Sequence, residues 1–115
     1  MRALYTADGG PEAVAHLFHT DAVWHLPGHH PMSGDHAGRD AILQAMRYFE
    51  GIQLEVRDVV ANDTHAVALL RAQGTRKGRQ YDSMEVDVFH IRDGRIAEFW
   101  SFTEDQRTTD EYWAG

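Results

Sequence analysis

From Ile52 onward the pattern changes from a helical period to an alternation of apolar and polar residues, and a period of two cannot be housed in a helix. The alternation predicts strands over 52–61, 64–75, 80–91 and 95–104. Lys77-Gly78 and Asp93-Gly94 supply the turns of the last two hairpins. The residues before Ile52 read differently. Pro11 is suited to the first position of a helix opened by Gly9-Gly10, because its missing N–H is an orphan there; Val14, Leu17 and Phe18 recur at helical spacing, and the helix ends near Thr20. Ala22 to Leu26 reads as a strand, and Pro27 to Gly38, with Pro27, Pro31, Gly28, Gly34 and Gly38, as a long loop. Asp40 then caps a second helix with Ile42, Leu43, Met46 and Phe49 on one face and Gly51 past its end. Helices first and long antiparallel strands after describe an α+β domain, a curved sheet with helices on one face. The polar tail from Asp105 is expected to dock back as a short helical turn through Tyr112 and Trp113.

At 115 residues the chain is expected to be one domain over 1–115. It carries 11 Lys and Arg against 18 Asp and Glu, a formal charge of −7, which argues against nucleic acid or an anionic membrane as partner. Small neutral or weakly polar ligands stay open. With no cysteine, disulfides, thiolate zinc sites, iron–sulfur clusters and thiol nucleophiles are excluded. The longest apolar run, Ala66 to Leu70, is far too short for a membrane span, and Asp8 and Glu12 stand where a signal peptide needs an apolar block. A cytoplasmic location is the expectation.

Alternation puts Glu85, Asp87, Phe89 and Ile91 on one face of their strand and Met84, Val86, Val88 and His90 on the other. Either set can be core. A two-residue turn at Asp93-Gly94 pairs Arg92 with Arg95 and sets Asp87 opposite Trp100. A three-residue loop over Arg92, Asp93 and Gly94, with Gly94 left-handed in a bulge, pairs Ile91 with Arg95 and turns Asp87 toward Phe99, with Ser101 diagonal to it. A slip of one residue exchanges the faces.

Four segments, in order, bear on the choice: Leu17 to Gly28 (LFHTDAVWHLPG), Pro31 to Gly34 (PMSG), Gly38 to Ile42 (GRDAI) and Val86 to Trp100 (VDVFHIRDGRIAEFW). Together they resemble the SnoaL-like polyketide cyclase and ketosteroid isomerase superfamily, which shares the nuclear transport factor 2-like, or cystatin-like, fold. The resemblance implies a cone in which a strongly curved antiparallel sheet wraps around N-terminal helices and encloses an apolar pocket. It implies that Glu85, Asp87, Phe89, Phe99, Ser101 and Thr103 face the interior, so the three-residue turn is the expected one. By the same resemblance Ala68, Leu70, Ala72 and Gly74 face inward, and their small side chains are expected to leave the pocket volume. Met84, Val86, Val88, Trp100 and Phe102 are then left on the convex side, a row too apolar for water, and a homodimer is expected to bury Val86, Val88, Trp100 and Phe102.

Asp87 matches the acidic residue that the steroid isomerases keep neutral in an apolar wall to donate to a developing enolate, a known case of pKa elevation by desolvation. Tyr5 corresponds to their oxyanion-hole tyrosine when a short deletion before Gly9 is allowed. Two positions depart from the family. Leu26 stands at the isomerases' general-base aspartate and moves no proton, and Ser101 stands where the cyclases and limonene epoxide hydrolases carry their catalytic aspartate. Ordinary steroid double-bond isomerisation is therefore disfavoured. Eight histidines stand out, with His25, His29, His30 and His36 in or beside the loop that runs along the pocket rim in this fold. A neutral imidazole at the rim is a replacement base, with His29 or His30 preferred. Their spacing matches no metal motif, so neither metal nor cofactor is expected. Trp24 and Leu26 are expected to line the pocket and Trp113 to close its mouth, favouring a flat, apolar, even polycyclic ligand. The expected function is cofactor-free acid–base catalysis (isomerisation, cyclisation or hydration) on an apolar carbonyl or polyketide-like substrate. The alternative is a noncatalytic dimeric protein that binds a hydrophobic small molecule.

Overall fold

The computed structural model of the protein describes residues 2–6 and 9–114. A short helix α1 (Ala3–Thr6) precedes a 3-10 helix over Pro11–Leu17, which has Pro11 at its start behind Gly10. Strand β1 (Phe18–Leu26) and the short β2 (Gly34–Ala37) lead to helix α2 (Arg39–Tyr48). Four strands follow, β3 (Gln53–Ala61), β4 (His65–Arg76), β5 (Arg79–Arg92) and β6 (Arg95–Thr103), and helix α3 (Gln106–Trp113) ends the described chain.

The strands form one curved, unclosed sheet in the order β2-β1-β6-β5-β4-β3. All pairings are antiparallel except β1 on β6, which run parallel. Helix α2 packs on β1 and the 3-10 helix, α3 on β5 and β6, and α1 on β3. Phe18, Phe89, Phe99, Ile42, Leu70 and Ile96 are fully buried between these layers. A second cluster, Ala72, Tyr81, Tyr112 and Trp113, lies under α3, so the tail does dock by its two aromatics. No helix among the described residues is long and apolar enough to cross a membrane.

Several sequence expectations shift. Phe18 belongs to β1 rather than to the first helix, and β1 starts four residues before the predicted Ala22. Part of the predicted loop pairs as β2, with His36 opposite Trp24. Gly38, at φ 96°, is the N-cap of α2, and Asp40 sits inside its first turn.

The hairpin between β5 and β6 combines features of both predicted turns. Arg92 pairs with Arg95 around Asp93 and Gly94, whose φ angles of 53° and 75° are both left-handed, as a primed two-residue turn requires. The three-residue loop is therefore not formed. Two steps on, Ile91 pairs with Ile96 but His90 with Glu98, leaving Ala97 as an extra residue. That bulge restores the parity the turn would have reversed. Asp87 pairs with Ser101, Glu85 with Thr103 and Phe89 with Phe99, all facing inward.

Candidate functional site

A cavity of about 270 Å³ opens between the concave face of the sheet and the helices. Aromatic rings make its walls. Trp24 on β1 stacks on Phe99 of β6 at 5.1 Å between centroids, meets Phe49 edge-on at 5.8 Å, and Phe49 meets Trp113 edge-on at 4.8 Å. Leu4, Leu26, Met46, Ile52 and Leu70 add aliphatic surface. Its polar groups are few, and two of them are carboxyls.

Those carboxyls, Glu85 and Asp87, are adjacent positions on one face of β5 and both line the cavity. Asp87 is buried, and the Tyr5 hydroxyl donates to its Oδ2 at 2.6 Å. Burial pushes the Asp87 carboxyl up from its ordinary range, while hydrogen bonding to Tyr5 and Ser101 pulls it back. The Tyr5 phenol is itself raised, first by burial and then by the Asp87 charge beside it, so it stays a donor. Trp24 Nε1 donates to Ser101 Oγ at 2.9 Å. An indole N–H only donates, so the Ser101 proton is left for Asp87.

Glu85 has its own network. Tyr81 donates to Glu85 Oε2 at 2.8 Å and shares a 2.8 Å contact with Thr109 Oγ1, which reaches Thr103 Oγ1 at 3.0 Å. Burial raises the Glu85 carboxyl to about 7, opposed by the Tyr81 hydrogen bond and reinforced by the Asp87 charge.

Of the residues expected at the site, Tyr5, Trp24, Leu26, His30, Leu70, Glu85, Asp87, Phe99, Ser101 and Trp113 line the cavity together. The other three stand elsewhere. Phe89 is fully buried behind Phe99, stacked on it at 5.2 Å, and belongs to the core. Ala72 is covered by Tyr81, Tyr112 and Trp113, and a side-chain carbon on Gly74 would meet Tyr112 Oη at 2.7 Å. The Ala72–Gly74 end of the β4 stripe is thus filled by Tyr81, Ile52 and the aromatics of α3, Ala68 lies in the main core, and only Leu70 from the stripe reaches the cavity. His29 is exposed and outside the lining.

The loop histidines do not converge. His25 points to the other face, between Asp35 at 2.6 Å and Glu98 at 2.5 Å, and His36 Nε2 lies 2.7 Å from Met32 O. His30 does line the cavity, but its Nδ1 accepts from the Met32 N–H at 3.2 Å. Burial lowers its pKa, so it is neutral near pH 7 with its proton on Nε2. The Nδ1 lone pair that a general base would use is thereby engaged by a backbone N–H. No group of three His, Cys, Asp or Glu side chains suited to a metal ion occurs among the described residues.

Sequence reasoning missed Phe49, Met46, Gln106 and Thr109 as cavity lining. The first two carried a signal, the apolar face of α2, which reads equally well as ordinary core. Thr109 carried none, because only the docking of α3 brings it within reach of Tyr81.

Solved structures with this architecture include Bal32a, from a soil-derived mobile gene cassette, which is 27% identical with a TM-score of 0.86; the match covers 97% of this chain and 88% of that one. A Xanthomonas campestris protein with a cystatin-like fold is 26% identical, with a TM-score of 0.85 and coverage of 99% and 92%. A SnoaL-like polyketide cyclase, so described as putative, from Jannaschia sp. CCS1 shares the fold at 18% identity, with a TM-score of 0.78 and coverage of 99% and 89%. No curated protein matches the sequence significantly. The SnoaL-like domain family matches residues 2–99, and the chain belongs to that family.

Proposed function

We propose that the protein is a cofactor-free acid–base enzyme acting on a small apolar carbonyl compound, with the Tyr5–Asp87 pair receiving the carbonyl oxygen. The observation that carries this reading is the 2.6 Å hydrogen bond between those residues at the wall of a cavity built largely of aromatic and aliphatic side chains. Once Asp87 holds a proton, its Oδ2 no longer claims the Tyr5 proton, and Asp87 and Tyr5 can each turn one O–H to the substrate oxygen. Two donors in a low-dielectric hollow stabilise charge that develops on oxygen far better than water does. Asp87 is then the acid and Tyr5 the second oxyanion donor, while Ser101 and Trp24 orient Asp87 and His30 offers a further N–H near the rim.

The cavity volume of about 270 Å³ falls just under the usual range of roughly 300–1,000 Å³ for ligand pockets. That supports a ligand of one or two rings rather than a larger polycycle. In D2O the protein should accelerate α-proton exchange of 2-tetralone, and Asp87→Asn should lower that acceleration by on the order of 10²-fold with the fold kept. Exchange unchanged by Asp87→Asn would count against the reading. Binding of 2-tetralone without any exchange would favour the noncatalytic binding protein instead.

The same reading takes the protein as a homodimer through its convex face. There Leu69, Val86 and Phe102 form one cross-strand row and Val67, Val88 and Trp100 the next. Phe102 is 48% exposed and Leu69 37%. Rows of this kind are unusual on a monomer. Trp100→Glu should halve the mass measured by sedimentation; a mass that stays dimeric refutes this interface.

A further inference from the structure

We propose that Glu85 is the base of this site, the group that takes a proton from carbon while Tyr5 and Asp87 hold the carbonyl oxygen. The proposal rests on the carbonyl reading above and supplies the group that reading lacks.

Placement comes first. Glu85 and Asp87 are two residues apart on one strand face, so their side chains stand side by side, roughly 7 Å apart along the strand. That spacing suits a carbonyl oxygen and its neighbouring acidic C–H when each makes one short contact with its own carboxyl group. Both groups border the same cavity.

The second point is which oxygen is engaged. Oε2 of Glu85 accepts from Tyr81, whereas Oε1 has no hydrogen-bond partner among the described residues. No buried side-chain oxygen or nitrogen there lacks a partner, so Oε1 is accessible. The Tyr81–Thr109–Thr103 chain fixes the carboxyl group from behind. A base held at one oxygen with the other open is oriented for transfer.

Elimination is the third. Asp87 is engaged by Tyr5 and Ser101, His30 presents its N–H, His29 is outside, and Leu26 does not titrate. The titratable groups facing Glu85 are Asp87 and Tyr81 on its own strand and Tyr5 from α1; α3 contributes Thr109, which does not titrate. Burial, the largest cause, raises Glu85 to about 7, where it is both ionised often enough to accept a proton and basic enough to hold it.

The step balances without an outside reagent. Glu85 Oε1 bonds to the hydrogen on carbon, the C–H pair becomes the C=C bond of an enolate, and the carbonyl π pair moves onto the oxygen held by Tyr5 and Asp87. Neutral Glu85 then returns the proton to carbon, to the same atom or a conjugated one.

The test is deuterium incorporation into 2-tetralone in D2O, followed by proton NMR across pH 5 to 9. Wild type should exchange faster than buffer, with a rate that rises with pH and bends near 7. Glu85→Gln should lower the rate by at least about 10²-fold and remove the bend, while 2-tetralone binding, read by saturation transfer, is kept. Added acetate should restore part of the rate to Glu85→Ala. Exchange in Glu85→Gln within about threefold of wild type overturns the proposal; if Asp87→Asn still slows exchange in that case, the carbonyl reading survives with another base. Wild type that exchanges no faster than buffer overturns both.

Discussion

Tyr5 and Asp87 lie 82 positions apart in sequence, yet the Tyr5 hydroxyl donates to Asp87 Oδ2 at 2.6 Å. A side chain from the short N-terminal helix thereby reaches the middle of the longest strand. The bond removes the desolvation cost of one carboxylate oxygen and ties α1 to the cavity wall.

Tyr5→Phe should destabilise the fold by about 1–3 kcal/mol, the usual cost of leaving a buried acceptor unpaired. The loss should be larger at pH 8 than at pH 5. Tyr5 favours the ionised carboxylate, so removing it raises the Asp87 pKa further and penalises the charged form most. Urea unfolding at the two pH values measures this, and an equal loss at both would contradict it.

Glu85→Gln should stabilise the protein at high pH. The Glu85 carboxyl is raised from 4.5 to about 7, so its favourable contribution is fully present below the unfolded value and is lost as pH rises through 7. Above that the wild type holds an ionised, buried group that glutamine does not reproduce. The variant should gain on the order of 1–3 kcal/mol over wild type at pH 8 and little at pH 5. A melting-temperature difference that is flat with pH would show that Glu85 is not desolvated.

Gly28 has φ 94°, and a side-chain carbon there would collide with Gln106 and Asp110 of α3. Gly28→Ala should therefore strain the loop at this left-handed φ and displace the Gln106 and Asp110 side chains, cost more than about 1 kcal/mol and disturb the cavity wall at Gln106. Weaker 2-tetralone binding together with a lower melting point is the expected result by calorimetry. Unchanged affinity would mean that the wall at Gln106 is not needed to close the cavity.

The inward face of β5 and β6 was legible, but not the device that produces it. Alternation in Glu85, Asp87 and Phe89 defined two faces without saying which is buried, and family resemblance selected the right one through the wrong turn. Ala97 carries no sequence signal of a bulge, because an alanine suits either a bulge or a regular strand. Strand β2, with the sequence Gly-Asp-His-Ala, was invisible for a related reason: a four-residue edge strand with no buried apolar residue has no alternation to read. Phe18 extended the helical spacing of Val14 and Leu17, and only its pairing with Ile96 places it in β1. The carboxyls, Trp24 and Tyr5 could be placed on the cavity wall from the resemblance, while the bond from Met32 N–H to His30 Nδ1 was not legible because it depends on loop geometry. The filling of the β4 stripe by Tyr112 and Ile52 depends on contacts between distant segments, which no local pattern records.

The central claim is that Tyr5 and Asp87 hold a carbonyl oxygen. The most direct measurement is the carbonyl 13C resonance of 2-tetralone, labelled at that carbon and bound to the protein. It should lie downfield of its position in free solution, as expected for an oxygen taking two strong hydrogen bonds, and move back upfield in Tyr5→Phe and Asp87→Asn. A bound ketone whose resonance stays at the free position, or is indifferent to both substitutions, would contradict the account.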